Sequence, residues 1–105
     1  MNILFVCSKN KWRSRTAETI FKKSANHHVK SAGTDKDARI KLTDKQLIWA
    51  DIIFVMEYKH RQIIKQNFVE NYDKNKIIVL DIPDEYQYMD EELIEAFEIA
   101  VTPYL

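Results

Sequence analysis

The 105-residue chain contains one cysteine, one glycine and two prolines, where average usage would supply about seven glycines. One cysteine excludes an internal disulfide and a cysteine-based zinc cage. No long apolar run interrupts a sequence in which 30% of residues are charged, so no membrane-spanning helix is expected. The opening segment, Met1 to Cys7, has no basic leader and turns polar at Ser8, which does not read as a secretory signal. These absences predict a soluble, cytoplasmic chain. They also predict a single domain over residues 1–105, because about 100 residues enclose one core of ordinary size and not two.

What is present is unevenly spread. The formal net charge is zero, yet Met1 to Lys30 carries seven basic residues against Glu18 alone, and Asp81 to Leu105 carries eight acidic residues and no basic one. Charge counts by themselves favour two solvated faces of opposite sign. The other reading is an anion site near the N-terminus, and neither implies nucleic acid or membrane as a partner.

Four short apolar runs read as strands: Ile3 to Val6, Val29 to Ala32, Ile52 to Met56 and Ile77 to Leu80. The first, third and fourth are continuous rather than alternating, as in strands covered on both faces of a parallel sheet. Helical spacing links Ala17, Ile20, Phe21 and Ala25 across Ser14 to Asn26, and Ile63, Ile64 and Phe68 across Tyr58 to Phe68. It also links Leu93, Ile94, Phe97 and Val101 across Asp90 to Val101, where Asp90 is a good N-cap; Thr43 to Ala50 makes two further helical turns. The alternation predicts an α/β fold, a three-layer α/β/α domain with a four-stranded parallel sheet. Right-handed crossovers make the flavodoxin-like order 2-1-3-4 the simplest, with ligands at the switch point beyond the carboxyl ends of the first and third strands.

At that point stands Cys7-Ser8-Lys9-Asn10-Lys11-Trp12-Arg13-Ser14, running from strand into helix. Such a loop turns several backbone N–H groups towards one point, a ready anion site. Cys7 would lie beneath the anion, its thiolate favoured by those N–H groups and by Arg13. The planar fork of Arg13 matches two phosphate oxygens, and Ser14 can donate its hydroxyl hydrogen to the thiolate. Singly, each residue has an ordinary explanation: a buried apolar cysteine, a surface arginine, a helix-capping serine. Together they supply a nucleophile, an oxyanion clamp and a stabiliser of the nucleophile in one loop.

With Cys7, Asn10, Arg13 and Ser14 in the pattern Cys-x5-Arg-Ser after the first strand, the chain resembles the low-molecular-weight protein tyrosine phosphatases, as a short, divergent member. Ser31-Ala32-Gly33-Thr34, Ala50 to Glu57 and Asp81 to Tyr86 resemble three further family segments in the expected order. The resemblance implies a phosphatase acting on aryl phosphate monoesters through a phosphocysteine on Cys7. Arg13 would bind the equatorial oxygens, Asn10 would brace the loop through Ser31, and Asp84 would be the general acid, with Asp81 as its rival. The implied catalytic set is thus Cys7, Arg13 and Asp84. The implied substrate-binding set is Ser8, Lys9, Asn10, Lys11, Trp12 and Ser14 with Ser31 and Tyr86. Partners would be a phosphotyrosine-containing protein or a small aryl phosphate, with inorganic phosphate as product; no cofactor or metal is implied.

Trp12, Tyr86 and Tyr88 either wall a slot for a phenyl ring or serve in ordinary packing. Lys9 stands where the family usually has glycine, so a left-handed residue in the loop would be strained at Lys9 and tolerated at Asn10. Arsenate reductases with a similar loop need additional cysteines, and sugar-transport phosphocarrier domains of similar length lack the arginine and the late acid. The alternative in a different class is a weak or inactive phosphate- or phosphotyrosine-binding module built on the same loop. His27 and His28 read as a helix-to-strand turn rather than metal ligands, and His60 as solvent-facing.

Overall fold

A computed structural model describes residues 1–105. The four short apolar runs become four parallel strands: β1 (Asn2–Cys7), β2 (His28–Gly33), β3 (Ile52–Val55) and β4 (Ile77–Val79). They are ordered β2-β1-β3-β4, the expected topology. Between them run α1 (Arg13–Phe21), α2 (Asp44–Trp49) and α3 (Tyr58–Asn67), with α4 (Glu91–Val101) closing the fold. No helix is long and apolar enough to cross a membrane.

From Ile3 onwards β1, and all of β3 and β4, are apolar because both faces of the sheet are covered, whereas the edge strand β2 carries His28, Lys30 and Ser31. Alternate side chains of β1 enter different layers. Ile3, Phe5 and Cys7 join Ala17, Phe54, Leu93 and Phe97 on the side of α1 and α4, whereas Leu4 and Val6 join Leu47, Ile53, Val55 and Ile64 on the side of α2 and α3. Phe5 is the hub of the first layer, with its ring centroid 5.6, 5.3 and 6.1 Å from those of Phe21, Phe54 and Phe97. Cys7 is therefore the last core residue of the central strand and the first residue of the loop.

Helix ends follow local chemistry. Asp90 caps α4 by accepting from the Glu92 N–H at 2.9 Å, with Glu91 and Glu92 in the first turn, where the helix dipole favours negative charge. Thr43 and Gln46 form a reciprocal capping box on α2. The helix expected to run from Ser14 to Asn26 ends instead at Phe21, and Ala25 is exposed. Beyond Phe21, Lys22, Lys23 and Ser24 offer no apolar face to hold another turn against the sheet, and the chain turns back towards β2.

The one glycine is required for proximity rather than conformation. Gly33 ends β2 opposite Cys7, and a Cβ built there would lie 2.4 Å from the Ser8 carbonyl oxygen and 2.9 Å from the Asn10 nitrogen. Both are backbone atoms of the loop and cannot swing aside. Gly33→Ala is expected to cost about 2 kcal/mol or more through overpacking, measured by urea unfolding. Ile48→Ala, at a side chain 64% exposed, should stay within about 0.5 kcal/mol of the parent; equal effects at the two positions would refute the close-approach argument.

Candidate active site

The loop between β1 and α1 is fastened by its carbonyls. The Cys7, Ser8 and Lys9 oxygens accept from the N–H groups of Thr34, Asp35 and Arg39, each at 2.9 Å, and the Asn10 oxygen accepts from Arg39 Nε at 3.0 Å. In a trans peptide unit, the carbonyl of one residue and the N–H of the next point in opposite directions. With these carbonyls turned towards residues 34–39, the N–H groups of Ser8, Lys9, Asn10 and Lys11 turn the other way. The Asn10 N–H lies 3.2 Å from Cys7 Sγ. Of the loop residues only Asn10 has a left-handed backbone, φ 56°, which asparagine tolerates. The strain anticipated at Lys9 does not arise.

These groups surround a pocket of about 420 Å³ lined by Cys7, Ser8, Lys9, Lys11, Trp12, Arg13 and Asp84. Asn10, Ser14 and Ser31 do not line it; they are buried behind the loop. Asn10 Nδ2 donates to Ser14 Oγ at 2.7 Å and to Ser31 Oγ at 2.8 Å, and Ser31 in turn donates to Glu18. Ser14 Oγ lies 3.0 Å from Cys7 Sγ and 3.3 Å from the Ala32 oxygen, and its single hydrogen can go to either, the sulfur being the nearer. Tyr86 is not brought to the pocket. It packs against the core layer under α4 because Ile82 anchors the late loop there. Tyr88 bonds Thr19 at 2.9 Å and stacks under the Arg15 guanidinium. Trp12 remains at the mouth, 37% exposed, with Lys11 Nζ 4.9 Å from its ring centroid. Lys9 is held away from the centre by Asp37, at 2.9 and 3.0 Å, and by Asp35. Its hydrogen bond with Asp37 raises the lysine pKa and lowers that of the aspartate.

Arg13 is 2% exposed and must be paired where it lies. Its Nη1 donates to Glu57 at 2.7 Å and to the Ile82 carbonyl at 2.8 Å, using both hydrogens. The edge formed by Nε and Nη2 is left over, with Asp84 Oδ1 at 3.7 Å from Nε. That edge is the bidentate one that fits two oxyanion oxygens. Asp84 owes its position to Ile82, whose N–H bonds the Met56 oxygen at 2.8 Å. Asp81, in a left-handed turn with φ 57°, does not line the pocket.

Two residues at this site escaped the sequence reading. Glu57 follows β3, at the switch point where α/β folds gather their ligands, and that placement was its available signal. Burial pushes its carboxyl up, but the hydrogen bond and charge of Arg13, with Lys59, leave it below the usual range. His60, expected to face solvent, is fully buried. It sits in the first turn of α3, where its Nδ1 accepts from the Glu57 N–H at 3.0 Å and its Nε2 lies 2.9 Å from Ser8 Oγ. Burial, reinforced by the Arg13 charge, lowers its pKa from 6.5 to about 4.

A folded-state value below the unfolded one means that the unfolded chain binds the additional proton. Stability contributed by neutral His60 is therefore complete above about pH 6.5 and lost as pH falls towards 4, up to about 3 kcal/mol. The Glu57 contribution, also from a lowered value, is lost only below about pH 4.5. Urea unfolding at a series of pH values from 7.5 to 4 should show the earlier decline, and His60→Asn should flatten it; an unchanged slope in the variant would refute the assignment.

Residues 2–48 match the family model described as low molecular weight phosphotyrosine protein phosphatase. No curated protein sequence matches the chain. Among solved structures, the tyrosine phosphatase Wzb from Escherichia coli K30 in complex with phosphate superposes with a TM-score of 0.77 at 22% identity, covering 98% of this chain and 94% of that one. Wzb from Vibrio vulnificus in complex with benzylphosphonate gives 0.71 at 25% identity over 94% and 90%. The YwlE arginine phosphatase from Geobacillus stearothermophilus gives 0.71 at 25% identity over 96% and 86%. The family model thus covers the segment that carries the Cys-x5-Arg loop, and the whole chain shares its fold with these phosphatases.

Proposed function

We propose that this protein hydrolyses aryl phosphate monoesters, phosphotyrosine in a protein or a small aryl phosphate, through a phosphocysteine intermediate. The observation that carries the reading is one pocket lined by Cys7, Arg13 and Asp84, in which the Asn10 N–H already points at Cys7 Sγ and the Nε/Nη2 edge of Arg13 has no hydrogen-bond partner. In the first step the Cys7 thiolate attacks phosphorus; the S–P bond forms, the P–O bond to the aryl group breaks, and Asp84 delivers a proton to the departing oxygen. The equatorial oxygens lie against the N–H groups of Ser8 to Lys11 and the Nε/Nη2 edge of Arg13, donors already oriented before charge develops. Ser14 Oγ stabilises the sulfur as attacker and as leaving group. In the second step Asp84 takes a proton from water, the water oxygen bonds to phosphorus, and the S–P bond breaks to release inorganic phosphate.

The exposed Trp12 ring favours a flat leaving group, and the Lys11 ammonium over it disfavours a cationic guanidinium. Phosphotyrosine therefore fits the pocket better than phosphoarginine, the substrate type named for one structural neighbour. A thiolate nucleophile with no second cysteine for protection suits the reducing cytoplasm.

With p-nitrophenyl phosphate as substrate, Cys7→Ser should reduce kcat by about 10⁴-fold or more. Asp84→Asn should reduce kcat by about 10²-fold or more for phenyl phosphate and less for the better p-nitrophenolate leaving group, while Asp81→Asn stays close to the parent. Parent protein that binds phosphate without turnover would make the chain a binding module. Turnover that survives Cys7→Ser would overturn the mechanism, and faster hydrolysis of a phosphoarginine peptide than of a phosphotyrosine peptide would overturn the substrate assignment.

A further inference from the structure

The hydrolytic steps have no use for the fully buried His60, and its bonding fixes what it does. Its Nδ1 accepts the Glu57 N–H, so that nitrogen carries no hydrogen, and the neutral ring carries its hydrogen on Nε2. Nε2 therefore donates to Ser8 Oγ, 2.9 Å away. The imidazole cannot accept from the serine, and Ser8 Oγ has no other protein partner. Its hydroxyl hydrogen remains unused beside Cys7 in the wall of the pocket. The other charged groups around the ring are Arg13, Lys59, Glu57 and Asp35. Burial foremost, then the two cations, oppose a second proton on the imidazole and outweigh the pull of Glu57 and Asp35, which keeps it a donor to Ser8 through Nε2 alone.

We propose that His60 is a positioning residue that holds the Ser8 hydroxyl as a hydrogen-bond donor to the phosphoryl group in the pocket. The proposal deepens the phosphatase reading and rests on it for the location of the anion, but it does not require turnover. Backbone N–H groups form most of the phosphate cradle, and Ser8 adds a side-chain donor whose direction is set from a different element, the first turn of α3. The same turn holds Glu57 against Arg13, so one helix start orients both a side-chain donor and the guanidinium.

Inorganic phosphate is the probe, titrated calorimetrically at pH 7 with the full chain and, for the parent, as a competitive inhibitor of p-nitrophenyl phosphate hydrolysis. Ser8→Ala should weaken phosphate binding about tenfold, the value of one hydrogen bond to a charged acceptor at an open site. Ser8→Thr, which keeps the hydroxyl, should remain within about twofold. His60→Asn should lose several-fold, and the Ser8→Ala/His60→Asn pair should be no weaker than Ser8→Ala alone, because both remove the same contact. Unchanged binding in Ser8→Ala would overturn the proposal, as would a double variant whose losses add. A His60→Asn protein with a lower Tm and parental phosphate affinity would also overturn it, since the histidine would then be structural only. If His60→Asn does not fold, the Ser8→Ala and Ser8→Thr pair decides the matter at a half-buried position of the pocket wall. Phosphate binding that follows this pattern in a protein without turnover would sink the hydrolase reading and leave the Ser8 contact standing.

Discussion

Opposed carbonyl and N–H directions within each peptide unit of the loop Ser8 to Trp12 are the constraint on which the rest of the site depends. An anion cradle needs several N–H groups pointing at one place, and a free loop has no reason to align them. Here alignment is imposed from behind, because the carbonyls of Cys7, Ser8, Lys9 and Asn10 bond to residues 34–39. Those bonds form only because Gly33 has no side chain to hold the two segments apart. The loop contains no glycine of its own. The single turn that demands a left-handed residue falls on asparagine, so the scarcity of glycine is no obstacle to forming the cradle.

A second set of interactions follows from burying a guanidinium at the end of a hydrophobic core. Arg13 cannot lie 2% exposed without partners, and Glu57 and the Ile82 carbonyl supply them while leaving its bidentate edge free. Ile82 links this pairing to the late loop, through which Asp84 reaches the pocket rim. Glu57 links it to the first turn of α3 and hence to His60 and Ser8. Strand ends, late loop and helix start therefore meet at one arginine, and Asp84, Arg13 and the hydroxyl of Ser8 share a common support.

Much of the fold was legible in the sequence. Continuous apolar runs such as Ile3 to Val6 mark strands buried on both faces, and with right-handed crossovers they imply the order β2-β1-β3-β4. The Cys-x5-Arg-Ser spacing announced the loop because its chemistry is local: eight consecutive residues running from the end of a strand into a helix. Less legible were features that depend on distant partners. His60 lies in a strongly polar segment, and only its bonds to Glu57 and Ser8 explain its burial. Tyr86 is an aromatic beside the acidic loop, yet the anchoring of Ile82 turns it towards the core. The helix expected to reach Asn26 stops at Phe21 because spacing at Ala25 cannot reveal that no neighbour waits to cover it.

The sequence by itself determined the alternation of strands and helices, the position of Cys7 at the end of the central strand and the presence of a cysteine, an arginine and a serine at the right spacing. These are set by short-range periodicity and by the direction a strand takes into a helix. Tertiary structure alone decided which carboxylate accompanies the pocket, which edge of Arg13 is free, and that Lys9 is turned outwards by Asp35 and Asp37. It also decided that a histidine from α3 reaches a serine 52 positions earlier. The physical reason is that these outcomes depend on hydrogen bonds between segments brought together by the parallel crossovers, where direction and distance matter and sequence separation does not.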